Sequence, residues 1–207
     1  FRMGMSGAQG FFGIEPDLTI FGKVIAGGYP GAGGIGGKAE YMKYLSAGIS
    51  GEAKHPKALI GGTMAAAPVS CVAGYYTLCE IEESRAIPRA GRFGTKLVKG
   101  VNEIIDKYDL PFVAFNQGSI CHVDTTGTMH FAIDWSKPWQ IPGIFNETSS
   151  RKREMEHIGA AYMAEGFVTL AGSRLYTSAA YEDDMLDDIL AKFDRVFANC
   201  AEIGEVK

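Results

Sequence analysis

The chain has 207 residues, 46% hydrophobic and 21% charged, with a net charge of −4. That is ordinary globular composition, long enough for one large domain or two small ones around a substantial core. The mildly acidic balance argues against nucleic acid or an anionic membrane as partner, and no apolar run approaches the roughly 20 residues that span a bilayer.

Leu18–Phe21 reads as a short buried strand ending at Gly22-Lys23. Gly33–Gly37 reads as a second strand, thin in side chains where something approaches closely. Ala39–Leu45 is a short helix and Ser46–Ile60 a polar loop. From Met64 to Glu83 the residues Ala65, Val69, Val72, Tyr76 and Ile81 predict a nearly all-round apolar, buried helix, with Pro68 tolerated only in its first turn. A second helix is expected over Ile87–Tyr108, carrying Phe93, Leu97, Val101 and Ile105 at helical spacing and bridging two domains. Strands are expected at Phe112–Phe115, Ser119–Asp124, Met129–Ile133, Val168–Leu170 and Leu175–Ser178. Helices are expected over Ser150–Glu165, stopped by Gly166, and over Glu182–Ala198, with acids in the first turn. The alternation argues for α/β architecture followed by a smaller α+β part.

Cys71, Cys79, Cys121 and Cys200 form neither a C-x-x-C pair nor a metal-ligand spacing. They read as small buried hydrophobes of a reducing, cytoplasmic compartment, with no metal. The opening Phe1-Arg2-Met3-Gly4 is neither a signal peptide nor an initiator Met, and reads as the middle of a longer protein.

The segment Pro16-Asp17-Leu18-Thr19-Ile20-Phe21-Gly22-Lys23, followed by Ala26-Gly27-Gly28-Tyr29-Pro30, places a lysine just past a strand, among glycines. Burial disfavours an ammonium, and an uncharged amine attacks an aldehyde. A lysine in this position is also, more commonly, a solvated strand end. Gly61-Gly62-Thr63, placed at the start of the Met64–Glu83 helix, offers free N–H groups, a hydroxyl and the positive end of the dipole, which suit a phosphate. It reads equally as an N-cap threonine with a flexible lead-in. An imine-forming lysine and a phosphate seat together are what pyridoxal phosphate requires.

Residues Ala8 through Pro30 resemble the class III aminotransferases, nearest their glutamate-1-semialdehyde aminomutase-like branch. In that family the motif P-D-L-x-x-x-x-K ends in the Schiff-base lysine, which implies Lys23. The glycine turn that follows is matched by Gly27-Gly28-Tyr29-Pro30. A later Gly-Thr, here Gly62-Thr63, binds the cofactor phosphate and does so across a dimer interface. The resemblance therefore implies pyridoxal 5'-phosphate as cofactor and a homodimer with shared sites. It also implies transfer of an amino group between an amino acid or amine donor and a keto acid or aldehyde acceptor. An aminomutase or racemase is the alternative on the same fold, and a non-catalytic fragment is the alternative of another class.

Ser178–Asp184 is similar to the stretch that opens the family's last helix. Arg174, a few residues earlier, matches an arginine that holds a substrate carboxylate in many members, a task suited to a guanidinium's two parallel donors. As a strand residue it reads equally as a surface arginine. The fold implied is the C-terminal part of a type I large domain, residues 1–90, and a linking helix with a small α+β domain, residues 91–207. The chain departs from the pattern at Met64-Ala65-Ala66-Ala67, where polar residues are usual, and at Tyr181, where histidine is. The family's aspartate that pairs with the pyridine nitrogen belongs to a motif before Phe1, so the resemblance covers a C-terminal half.

Gly31-Ala32-Gly33-Gly34-Ile35-Gly36 satisfies G-x-G-x-x-G but has neither the strand before it nor the helix after it that a dinucleotide site needs. His55, His122, His130 and His157 are scattered and read as structural.

Overall fold

A computed structural model describes residues 1–45, 56–58, 61–126, 136–140, 142–143, 156–170 and 172–203. The expected strand at Met129–Ile133, His55 and His130, and the first part of the Ser150–Glu165 helix lie outside the described residues. The chain divides into two units, one running from Met3 to Ala86 with Phe1, the other from Ile87 to Lys207 with Arg2.

The first unit opens with α1 (Gly7–Phe12), a helix that the sequence pattern does not announce. β1 (Leu18–Phe21) then pairs antiparallel with β2 (Gly34–Gly37), Ile20 opposite Ile35. Between them Lys23–Ala26 forms a single 3-10 turn closed by Gly27, whose N–H bonds to the Val24 carbonyl. α2 (Ala39–Met42) continues into a 3-10 turn at Lys43–Leu45.

The expected Met64–Glu83 helix begins later, as α3 (Pro68–Glu83). Pro68 occupies its first position, and the residue before a proline is held out of the helical region; Ala67 accordingly sits at φ −51, ψ 128. Residues 63–66 form a turn instead, with Ala66 at φ +54. Nor is α3 buried all round. Only Ser70 and Gly74 are, and they sit where the 3-10 turn lies against the helix. Val69, Val72, Tyr75 and Tyr76 are exposed. Their composition is that of a core helix, but this chain packs only one narrow strip of it.

The second unit is built differently. α4 (Ala86–Lys107) belongs to it from Ile87 onward. Phe93, Leu97, Val101 and Ile105 recur every four residues and are all buried. This stripe meets the three-stranded antiparallel sheet β3 (Val113–Gln117), β4 (Ile120–Asp124) and β5 (Arg174–Tyr176), with β4 in the centre. Val168–Leu170 is not a strand: Leu170 makes only a single bridge, to Arg174.

Residues 156–164 form α5, and α6 (Met185–Ile203) closes the unit with Asp187 and Asp188 in its first turn. Phe112, Val123, Ile158, Tyr162, Phe193, Val196 and Phe197 complete one continuous core. Tyr162, Phe167, Phe193 and Phe197 meet mostly edge to face, the arrangement that aromatic quadrupoles favour. The outer edge of β3 is stitched to α4 by Asn102, whose amide accepts from the Ala114 N–H and donates to the Ala114 carbonyl, each at 2.9 Å. That satisfies both groups of Ala114, whose cross-sheet neighbour in β4 is Val123.

The cysteines divide between the units. Cys121 is buried and burial pushes its thiol up to about 11, and Cys200 is half-buried. Cys71 and Cys79, expected in apolar surroundings, are exposed on α3.

Candidate active site

Lys23 stands where β1 ends and the chain must turn. Gly22 is extended, and Lys23 itself takes φ +58, a left-handed conformation that side chains other than glycine adopt rarely. The turn is set by close backbone packing on α3. A Cβ at Gly27 would meet the Ala73 backbone at 2.6 Å, and one at Gly74 would overlap the Ile25 carbonyl. Both glycines are needed for the turn to reach the helix. The buried Ser70 hydroxyl donates to the Pro30 carbonyl and fixes the chain leaving the turn.

Lys23 is exposed, which corrects the expectation of a buried amine. The 3-10 turn that begins at Lys23 lies against α3. Among the described residues its Nζ has neither hydrogen bond nor ion pair. Lys38, Lys96, Lys107 and Lys192, by contrast, pair with Asp17, Asp183, Asp194 and Asp188.

Gly62 and Thr63 are exposed, and the helix they were expected to open starts at Pro68. A phosphate seat on that helix's own N-terminus is therefore not formed. The segment is instead held against the glycine turn. The Ala67 N–H bonds to the Gly31 carbonyl at 3.2 Å, and a Cβ at Gly31 would lie 2.5 Å from the Met64 carbonyl. Gly31, Ala32 and Gly33 share an open groove with Gly62, Thr63 and Met64. The G-x-G-x-x-G run is thus a bend into β2, so a strand and not a helix opens at its glycines. The Thr63 hydroxyl has no partner among the described residues. Lys23 does not line this groove.

Arg174 lies in the second unit, exposed on β5 and opposite His122 of β4. No hydrogen bond or ion pair engages its guanidinium among the described residues. Sequence reasoning set His122 aside as structural. Its ring is stacked on Phe115 at 5.1 Å with 5° between planes, and its charged form is disfavoured first by burial and then by the Arg174 charge. The register that pairs Phe115, His122 and Arg174 exists only once the sheet has formed, so spacing along the chain gave no sign of it.

The Lys23 amine and the Thr63 hydroxyl in the first unit, and the Arg174 guanidinium in the second, are each exposed. Among the described residues, no group of His, Cys, Asp and Glu suits a metal ion. Among the described residues no helix is long and apolar enough to cross a membrane.

The family model described as aminotransferase class-III matches residues 2–193, and the chain belongs to that family. It is 32% identical over 203 residues to glutamate-1-semialdehyde 2,1-aminomutase 2 of Geobacillus kaustophilus, a match covering 96% of this chain and 42% of that protein. It is likewise 32% identical over 200 residues to the glutamate-1-semialdehyde 2,1-aminomutase of Nitrosomonas europaea, covering 95% of this chain and 41% of that one. The chain thus spans about 42% of the length of the curated relatives it matches. In fold it is similar to an omega-transaminase from Sphaerobacter thermophilus, with a TM-score of 0.75 at 23% identity over 97% of this chain and 42% of that one. A transaminase solved with PLP bound is similar at TM-score 0.70 and 19% identity, over 99% of this chain and 43% of that one.

Proposed function

We propose that the chain is the C-terminal part of a pyridoxal-phosphate-dependent aminotransferase, with Lys23 as the residue that binds the cofactor covalently. The observation that carries this reading is the unpaired Lys23 amine on a left-handed turn wedged against α3 by Gly27 and Gly74. Left-handed backbone at a non-glycine residue costs on the order of 1–2 kcal/mol and persists where the surrounding packing imposes it.

Pyridoxal phosphate, when bound, supplies an aldehyde and an electron-withdrawing ring. The chain's own residues would do the rest. Lys23 Nζ is the nucleophile toward the aldehyde. It would also be the base that takes the proton from the substrate carbon. Thr63 Oγ1 and the Gly62 backbone donate to the phosphate from the glycine groove. Arg174 binds a carboxylate of the amino donor or the keto acceptor. Lys23, Thr63 and Arg174 are each exposed in this chain, and the reading gives the remainder of the protein the task of excluding water from them.

The family resemblance further supports a cytoplasmic homodimer in which the Thr63 segment serves the partner's site. The exposed apolar side chains of α3 agree with burial in such an assembly. Within the same reading an aminomutase is favoured by one observation, the 32% identity to two aminomutases along nearly the whole chain.

The test is covalent capture. Borohydride treatment of the protein with pyridoxal phosphate should fix the cofactor on the peptide containing Lys23, read by mass spectrometry, and Lys23→Ala should abolish the adduct. Cofactor fixed with equal yield in Lys23→Ala would overturn the assignment. An amino donor assayed with and without a separate keto acceptor then separates transaminase from mutase. Sedimentation of the loaded protein tests the dimer.

A further inference from the structure

β4 is the central strand of the second unit's sheet, and its side chains alternate. Cys121 and Val123 enter the core; Ile120, His122 and Asp124 face the other way. On that outer face His122 stands between Phe115 of β3 and Arg174 of β5, directly opposite each. Directly opposed residues of antiparallel strands bring their Cβ atoms to roughly 5 Å, and like charges placed so are destabilising. The Phe115 stack fixes the plane of the imidazole, and the Arg174 guanidinium has no anion of its own among the described residues.

The other groups on this face do not resolve the conflict. Asp124 lies two residues along β4 and accepts from the Thr126 N–H and hydroxyl through Oδ1. Tyr176, two residues along β5, lies under the Arg2 guanidinium at 4.4 Å. On β3, Val113 and Gln117 bring no charge. An oriented imidazole beside an unpaired guanidinium makes physical sense if an anion lies across both.

We propose that His122 and Arg174 form one carboxylate-binding site, with Arg174 the permanent cation and His122 a second donor that the bound carboxylate recruits. The inference deepens the reading of Arg174 given above and rests on it: it adds a positioning and specificity residue and makes substrate affinity depend on pH. The sign follows from linkage. A bound carboxylate stabilises the protonated imidazole, so ligand binding takes up a proton and strengthens as pH falls through the His122 titration. The neutral imidazole keeps the empty site from holding two adjacent cations at higher pH.

The experiment is an NMR titration of the histidine ring protons in the full chain without cofactor, with succinate as probe and succinamide as its uncharged control. The His122 resonances are identified by their loss in His122→Gln. Succinate should shift them and raise the His122 midpoint, succinamide should do neither, and binding should be about two- to fivefold tighter at pH 6 than at pH 8, as for exposed ionic contacts. His122→Gln should keep succinate binding but lose its pH dependence; Arg174→Gln should lose binding. Succinate bound through Arg174 with the His122 midpoint unmoved would overturn the role of His122 and leave that of Arg174 intact. Equal binding in Arg174→Gln, or none in the parent chain, would overturn both. The midpoint is read in the unsubstituted chain, so the outcome does not hang on a variant's folding.

Discussion

The two units carry similar proportions of apolar side chain and use it in opposite ways. In the second, α4, α5, α6 and the inner face of the sheet bury one another, and Val101, Phe193 and Phe197 are at most 1% exposed. In the first, Ala26 is the only buried hydrophobic residue among those described, while Ile20 is 84% and Tyr76 67% exposed. A two-stranded ribbon and a helix touching one turn cannot enclose a core, whatever their composition. The difference teaches that hydrophobic content marks a segment for burial without saying what buries it. The proposed covalent lysine lies in the unit that is not closed by this chain, and the proposed carboxylate grip lies in the one that is.

The comparison breaks most directly by dissection. Residues 87–207 alone should unfold cooperatively in denaturant, and residues 1–86 alone should show no cooperative transition; a sharp transition in the short piece would refute the contrast. Point substitutions probe it next. Phe193→Ala should cost about 3–5 kcal/mol in denaturant unfolding of the full chain, as large core truncations do. Val72→Ala on α3 should change it by less than about 0.5 kcal/mol, as exposed substitutions do.

Thiol labelling sharpens the same line without mutation. In the native chain Cys71 and Cys79 should react with a maleimide, while Cys121, fully buried with its thiol pushed up to about 11, should react only after unfolding. Peptide mapping of the labelled chain reads the result. The smallest effect is one of pH. The His122 midpoint is held below its ordinary value of 6.5, so the unfolded chain takes up more protons just below that pH. The second unit's stability is fully present above 6.5 and declines as pH falls through it, by less than about 1 kcal/mol for a group this exposed. His122→Phe should flatten that slope in denaturant titrations at pH 5.5–7.5.

Much of the second unit was legible because its signals are local and periodic. The four-residue recurrence from Phe93 to Ile105 fixes the buried face of α4. The family was legible around Lys23, since the resemblance rests on residues contiguous with it. The start of α3 was misread because its alanines favour helix, whereas Pro68 forbids the helical conformation to Ala67. The burial of α3 and of Lys23 was overestimated, since composition reports the tendency to be covered and not the covering surface. His122 was missed because its partners Phe115 and Arg174 are 7 and 52 residues away.

The sequence by itself determined the family and which face of α4 turns inward, because each is written in residues a few positions apart. Only the tertiary structure decided that Gly27 and Gly74 let the lysine turn settle onto α3, and that Thr63 sits against a glycine bend rather than on a helix end. It alone placed His122 beside Arg174. These are contacts between distant segments, and their geometry is set by backbone approach and strand register, which no local pattern of residues encodes.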